Sequence, residues 1–169
     1  MYIKINRLIR GVTKIKIKRL DNYIERKEIC NNVLRALPEW FGIEESIEEY
    51  NEGVKDGEFF GAYEEGVDKP LGFISFIFNN QYTAELYVTG VFKEYHNMGI
   101  GKKLLSEGEQ YLKEKGVKFL MVKTLGESHP DKNYAKTREF YLKTGFTPLQ
   151  EIKEIWGKEN PCLIMVKNL

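Results

Sequence analysis

A strand-like run at 83–92 leads through a short polar loop into Gly99-Ile100-Gly101-Lys102-Lys103 and a helical pattern at about 101–115. This strand, glycine loop and helix constrain the chain more than any other feature. Two glycines one residue apart let backbone N–H groups converge where a helix begins, and the unpaired amides and the helix dipole together favour an anion there. Phosphate is the natural guest. A helix start contributes about 0.3–1 kcal/mol to a nearby anion, and convergent amides add hydrogen bonds. Lys102 and Lys103 add positive charge.

A glycine pair alone is compatible with several chemistries, and three can be tested against the spacing. A dinucleotide fingerprint needs Gly or Ala at the sixth position, where Leu104 stands. A Walker A loop needs a glycine five residues before Gly101 and Ser or Thr at 103, and has neither. A nucleophile elbow is absent, because Ser106 follows Leu104-Leu105.

Around this unit the chain reads as one domain over residues 1–169, with no repeat, low-complexity tract or linker. Lys14 to Leu20 alternates charge with Ile15, Ile17 and Leu20 as a half-buried strand does. Asp21 or Asn22 then caps a helix carrying Ile29, Val33, Leu34 and Leu37, which Pro38 ends. A second helix from about residue 43 sets Ile43, Ile47, Tyr50 and Val54 on one face and Glu44, Glu45, Glu48, Glu49 and Glu52 largely on the others. The runs 58–63 and 71–78 read as a hairpin turned at Gly66, Asp68 and Pro70. In the helix after the glycine loop, Leu104, Leu105, Gly108, Tyr111 and Leu112 face inward and Gly116 is the stop. A central strand at 118–125, a helix at 134–144 and strands at 146–152 and 162–167 complete the order β-α-α-β-β-β-α-β-α-β-β. That order predicts an α/β or α+β fold, a mixed sheet with helices on both faces.

Charge narrows the partners. Lys+Arg 26 against Asp+Glu 25 leaves +1, which recruits neither nucleic acid nor an anionic membrane. The opening segment, with Lys4, Arg7, Arg10, Lys14, Lys16, Lys18 and Arg19, is locally basic, and a nucleic-acid role for it is the contrasting reading. No run approaches the ~20 apolar residues of a membrane span. Cys30 and Cys162 lie far apart and no stretch reads as a signal peptide, so a reduced, cytoplasmic protein is expected. No metal is expected.

Val91-Phe92-Lys93-Glu94-Tyr95-His96-Asn97-Met98-Gly99-Ile100-Gly101-Lys102-Lys103-Leu104-Leu105, followed by Phe140-Tyr141-Leu142-Lys143-Thr144-Gly145-Phe146, resembles the GNAT superfamily of acetyl-coenzyme A dependent N-acetyltransferases. The resemblance runs from about Lys14 to the C-terminus, and two motifs in the right order are far more specific than either alone. His96 stands where the family has Arg or Gln, Lys93 where it often has Pro, and Tyr134 where it usually has Asn.

The resemblance implies a twisted, mostly antiparallel sheet of about six or seven strands, and acetyl-CoA as co-substrate in direct transfer to a primary amine of a small molecule or peptide. A non-catalytic acyl-CoA binding module is the alternative; a homodimer stays open. It further implies cofactor contacts at Val91, Phe92, His96, Asn97, Met98, Gly99, Ile100, Gly101, Lys102 and Tyr134, with coenzyme A in a V-shaped opening where the strand ending at Phe92 splays from the one ending near Leu125. The N–H of Val91, or a neighbour across a bulge, would bind the thioester carbonyl.

An ammonium acceptor must lose a proton before attack. Glu85, a carboxylate within the mostly apolar run Thr83-Ala84-Glu85-Leu86-Tyr87-Val88, is the candidate base, at a position where some family members carry glutamate. Tyr141 occupies the family's usual tyrosine position and is the candidate donor to the leaving thiolate. Trp40 and Phe41, between the first two helices, with Tyr87 and Trp156, are the candidate acceptor contacts. His129 reads as a surface residue, and neither cysteine has a nearby histidine partner.

Overall fold

The computed structural model describes residues 14–169. Lys4, Arg7 and Arg10 of the basic opening segment lie outside the described residues. Of the rest, Lys14, Lys18 and Arg19 pair with Glu65, Asp68 and Glu58 at 3.4, 3.4 and 2.7 Å, as a solvated strand edge does.

Seven strands form one sheet in the order β1-β2-β3-β4-β5-β7-β6. They are β1 Ile15–Arg19, β2 Glu58–Glu64, β3 Pro70–Phe78, β4 Thr83–Val91, β5 Phe119–Leu125, β6 Thr147–Ile152 and β7 Cys162–Asn168. Neighbours run antiparallel except β4 and β5, which are joined by a helical crossover and are parallel. Helices α1 Tyr23–Arg35 and α2 Glu44–Gly53 cover one face, over a cluster that includes Val33, Leu34, Ile47, Phe59, Phe73 and Val88. Helices α3 Ile100–Glu114 and α4 Lys132–Lys143 belong to the other cluster, with Leu104, Leu112, Leu120, Val122 and Tyr141. A short α5, Lys153–Trp156, and a 3₁₀ turn, Lys93–Tyr95, are additions to the expected order.

Local chemistry explains most boundaries. Asn22 caps α1 by accepting the Glu25 amide at 3.1 Å. Asp131 caps α4 through the amides of Asn133 and Tyr134 at 2.8 and 2.9 Å, so that helix starts before the expected Tyr134. Ile43 corrects the expected face of α2: it is the N-cap residue and is exposed, while Ile47 and Val54 are buried. Buried Arg26 donates to carbonyls of Leu20, Val54 and Gly57 at 2.7, 3.3 and 3.1 Å, holding the end of α2 to the start of α1.

The α3 helix sits close to the sheet because Gly108 has no side chain. A Cβ there would lie 2.3 Å from the ring of fully buried Phe76. Gly108→Ala gains helix propensity of up to ~1 kcal/mol but overpacks by about 1–3 kcal/mol. The expected net result is a lower melting temperature by calorimetry, with secondary structure retained.

Candidate active site

The site begins where β4 and β5 part. Their parallel pairing covers Thr83–Leu86 against Phe119–Val122 and stops, although β4 continues to Val91 and β5 to Leu125. Just past the last pair, Val88 faces Ser75 and Leu86 faces Phe76, leaving Tyr87 as an extra residue in β4. This bulge turns the strand's facing: Ala84 and Leu86 belong to the α3 and α4 side, whereas Tyr87 and Val88 both pack on the α1 and α2 side. Beyond the bulge the Phe92 amide donates to Leu71 O at 3.0 Å. In an alternating antiparallel ladder this turns the amides of Val91 and Thr89 away from β3, into the gap that β5 leaves open. Phe92 contributes its side chain to the α1 and α2 core instead.

The far wall of the gap is fastened separately. Buried Arg138 of α4 donates to Leu125 O at 2.8 Å and to Gly126 O at 3.3 Å, holding the departing end of β5 against α4. No local pattern marks it in the sequence, because an arginine in a helix looks solvated until its partner carbonyls are known.

At one end of the gap lies the glycine loop. Asn97 and Gly99 take positive φ, 61° and 76°, and no side chain caps α3. The first intrahelical bond from this turn is Lys103 N–H to Gly99 O, and the amides of residues 99–102 have no acceptor among the described residues. Four consecutive donors at an uncapped helix start make an anion cradle, and the Gly99 conformation gives it its curvature. Asn97, Met98 and Lys102 are exposed around it, while the Ile100 side chain is buried in the core, so its contribution to a ligand is its amide. Lys103 points elsewhere, its ammonium on Ile15 O of β1. The His96 ring also turns inward: its Nε2 lies 2.7 Å from Val91 O.

The middle of the gap is ringed by aromatics. Trp40 donates from Nε1 to Thr137 Oγ1 at 3.1 Å, accepts the Tyr134 hydroxyl on its carbonyl at 2.8 Å, and meets the His96 ring edge-on at 5.7 Å. The α1–α2 connection therefore spans from the end of β4 to α4, with Lys93 ion-paired to Glu39 beside it. Tyr50 contacts Phe41 and Tyr87 edge-on at 6.0 and 5.4 Å. Gly53 admits the Tyr87 ring, since a Cβ there would overlap its hydroxyl at 2.1 Å. Thus Trp40, Phe41, Tyr87 and Tyr134 come together, and Tyr50, assigned from sequence only to the packed face of α2, joins them. Trp156 on α5 is exposed and shares no ring contact with this group.

Glu85 is 7 % exposed, and its Oε2 accepts from Lys123 Nζ of β5 at 3.2 Å. Its Oε1 has no hydrogen-bond partner among the described residues. Burial pushes the Tyr50 phenol well above its ordinary value, with Tyr134, Tyr87, Glu85 and Glu49 adding to the effect, which sets these groups in one electrostatic neighbourhood. Tyr141 is buried, with its ring against Phe140 and Phe146 at 5.6 and 5.4 Å. Its hydroxyl forms no hydrogen bond among the described residues, and burial, then Tyr134 and Tyr50, drives its phenol strongly upward. Both cysteines are fully buried, and burial pushes Cys30 up to about 12 and Cys162 up to about 11, so neither is a thiolate at neutral pH. Among the described residues no group of three or more His, Cys, Asp or Glu side chains is arranged to hold a metal ion, and no helix is long and apolar enough to cross a membrane.

A strand that leaves its parallel neighbour beside an open helix start is a site for an extended, phosphate-bearing ligand. Residues 26–146 match the family described as the Acetyltransferase (GNAT) family. The chain belongs to that family, whose members are acetyl-CoA dependent N-acetyltransferases. No curated protein matches its sequence significantly. Among solved structures, a GNAT-family protein from Desulfovibrio desulfuricans superposes with a TM-score of 0.78 at 19% identity, over 92% of this chain and 99% of that one. A GNAT family acetyltransferase from Elizabethkingia anophelis with acetyl-CoA bound gives 0.67 at 20%, over 92% and 98%. The PaiA N-acetyltransferase from Thermoplasma acidophilum in complex with coenzyme A gives 0.69 at 24%, over 91% and 99%. At these identities the likeness bears on the fold.

Proposed function

We propose that this chain is a single-domain N-acetyltransferase that moves the acetyl group of acetyl-CoA directly onto a primary amine of a small molecule or peptide, with both substrates bound together. The observation that carries this reading is the juxtaposition of two unfilled features: the amides of 99–102 without acceptors among the described residues, and the β4 edge freed beyond Leu86. The cradle suits the cofactor's pyrophosphate, and the gap suits its pantetheine arm, which can pair with the backbone of Thr89 and Val91. His96 would have to yield Val91 O or share it.

In this reading Glu85 Oε1 takes a proton from the acceptor ammonium, directly or through water, and the amine nitrogen attacks the thioester carbon. The oxyanion is held by a β4 amide near the bulge. As the C–N bond forms and the C–S bond breaks, the second proton of the attacking nitrogen passes to the leaving sulfur, directly or through water, while the Tyr141 hydroxyl hydrogen-bonds that sulfur. A free thiol has a pKa of about 8.5, well below that of this buried phenol. Full proton transfer from Tyr141 is therefore uphill, and its role is mainly that of a hydrogen-bond donor to developing negative charge.

The test is thiol release from acetyl-CoA across a diverse amine library, alongside calorimetric CoA binding. Turnover with some amines supports the enzyme. Binding without turnover on any amine supports the alternative, a non-catalytic acyl-CoA binding module. In Tyr141→Phe, which keeps the ring and its burial, kcat is expected to fall clearly with modest change in KM. Steady-state and single-turnover rates equal to wild type, at equal melting temperature, would remove the donor role.

A further inference from the structure

Among the described residues, Glu85 and Lys123 are the one oppositely charged pair that the sheet brings to the gap from two different strands. Register aligns Glu85 with Met121, and Lys123 is the next residue of β5 on that face, reaching diagonally at the last rung before the strands part. The Lys123 side chain is one-third exposed while that of Glu85 is nearly buried. One carboxylate oxygen is tied and the other is free.

We propose that Lys123 is a positioning residue for the transfer reaction: its ammonium fixes Glu85 through Oε2, so that Oε1 is presented to the acceptor amine. This rests on the reading of Glu85 as the base. The other titratable neighbours do not replace the lysine. On β4 the neighbour is Tyr87, and on α2 they are Tyr50 and Glu49. On β7 it is Cys162, a buried thiol that feels both Lys123 and Glu85, and β3 opposes Glu85 with apolar Ile77. None of these side chains is cationic, so Lys123 alone supplies positive charge among these groups. Without a partner on Oε2 the carboxylate can turn about its terminal bond, and Oε1 is no longer held toward the acceptor.

The test is the split between kcat and KM in Lys123→Met and Lys123→Gln, with Lys123→Arg as the conservative variant and Glu85→Gln as reference. Removal of the lysine is expected to lower kcat about tenfold with little change in CoA affinity or melting temperature, because a misplaced base loses the reaction and not the binding. Lys123→Arg is expected to restore most of the rate. Wild-type kcat in folded Lys123→Met or Lys123→Gln, or a loss that Lys123→Arg leaves unrescued, overturns the proposal. If Glu85→Gln itself keeps the wild-type rate, the assignment of the base falls instead, and with it the reason for Lys123.

Discussion

Glu85→Gln is expected to lower turnover by about 10²–10⁴-fold, the loss typical of a removed general base, while CoA affinity stays close to wild type. The amide keeps the shape of the side chain and leaves Oε1 as an acceptor, but it cannot take a proton at any accessible pH. The ion pair with Lys123 also goes, which costs some local order because the partner ammonium is left beside a neutral group. Two readouts separate these effects. Calorimetry with CoA reports whether the gap is intact, and single-turnover rates from pH 6 to 9 report the chemistry. Intact binding with a strongly reduced single-turnover rate is the signature of a lost base. Wild-type turnover across that range would hand the proton to water or another residue and leave Glu85 as structure.

Gly101→Glu is expected to weaken CoA binding about 100-fold or more without unfolding the protein. A Cβ at 101 meets the Phe140 ring at 3.6 Å, an ordinary contact, so the backbone can hold a side chain there. The added carboxylate sits in the first turn of α3, where the unpaired amides await an anion, and competes for them. Held roughly 5 Å from a phosphate charge at an effective dielectric of ~20, it repels by about 3 kcal/mol, or a factor of ~100 in Kd. Gly101→Ala, which adds the methyl without the charge, is expected to bind nearly normally. Calorimetry on both variants decides: equal affinity in folded Gly101→Glu and wild type would move the pyrophosphate off this loop.

What could be read in advance follows the range of the interaction concerned. Asn22 capping α1, the inward Leu104, Leu105 and Leu112 of α3, and the glycine loop are local patterns, and each is visible in a few consecutive residues. The cap of α4 at Asp131 is equally local, three residues ahead of the family's usual landmark at Tyr134. Four-residue α5 is too short for a period to show. The rest depends on which distant residues meet. The bulge at Tyr87 is a property of how β4 registers on β3, and no composition signals it. The same holds for Lys103 turning to Ile15 O, for the His96 ring on Val91 O, and for Lys123 reaching Glu85 across a parallel pair. Trp40 and Phe41 stand out as aromatics in a loop, whereas Tyr50 is absorbed into a helix face, because its edge contacts come from Phe41 and Tyr87 rather than from the hydrophobic stripe.

The extra residue at Tyr87 makes the strand an odd-even device. A regular strand repeats its facing every two residues, so everything downstream of a given side chain is tied to that side chain's parity. Because one residue is uncounted here, the segment carrying Glu85 and the segment carrying Thr89 and Val91 keep separate parities on one continuous strand. For anyone transplanting or shuffling segments of this protein, the safe crossover points are therefore those that keep 85 and 91 six positions apart. Deleting a single residue between them exchanges which backbone groups look into the gap and which look into the sheet, even if every remaining side chain is preserved.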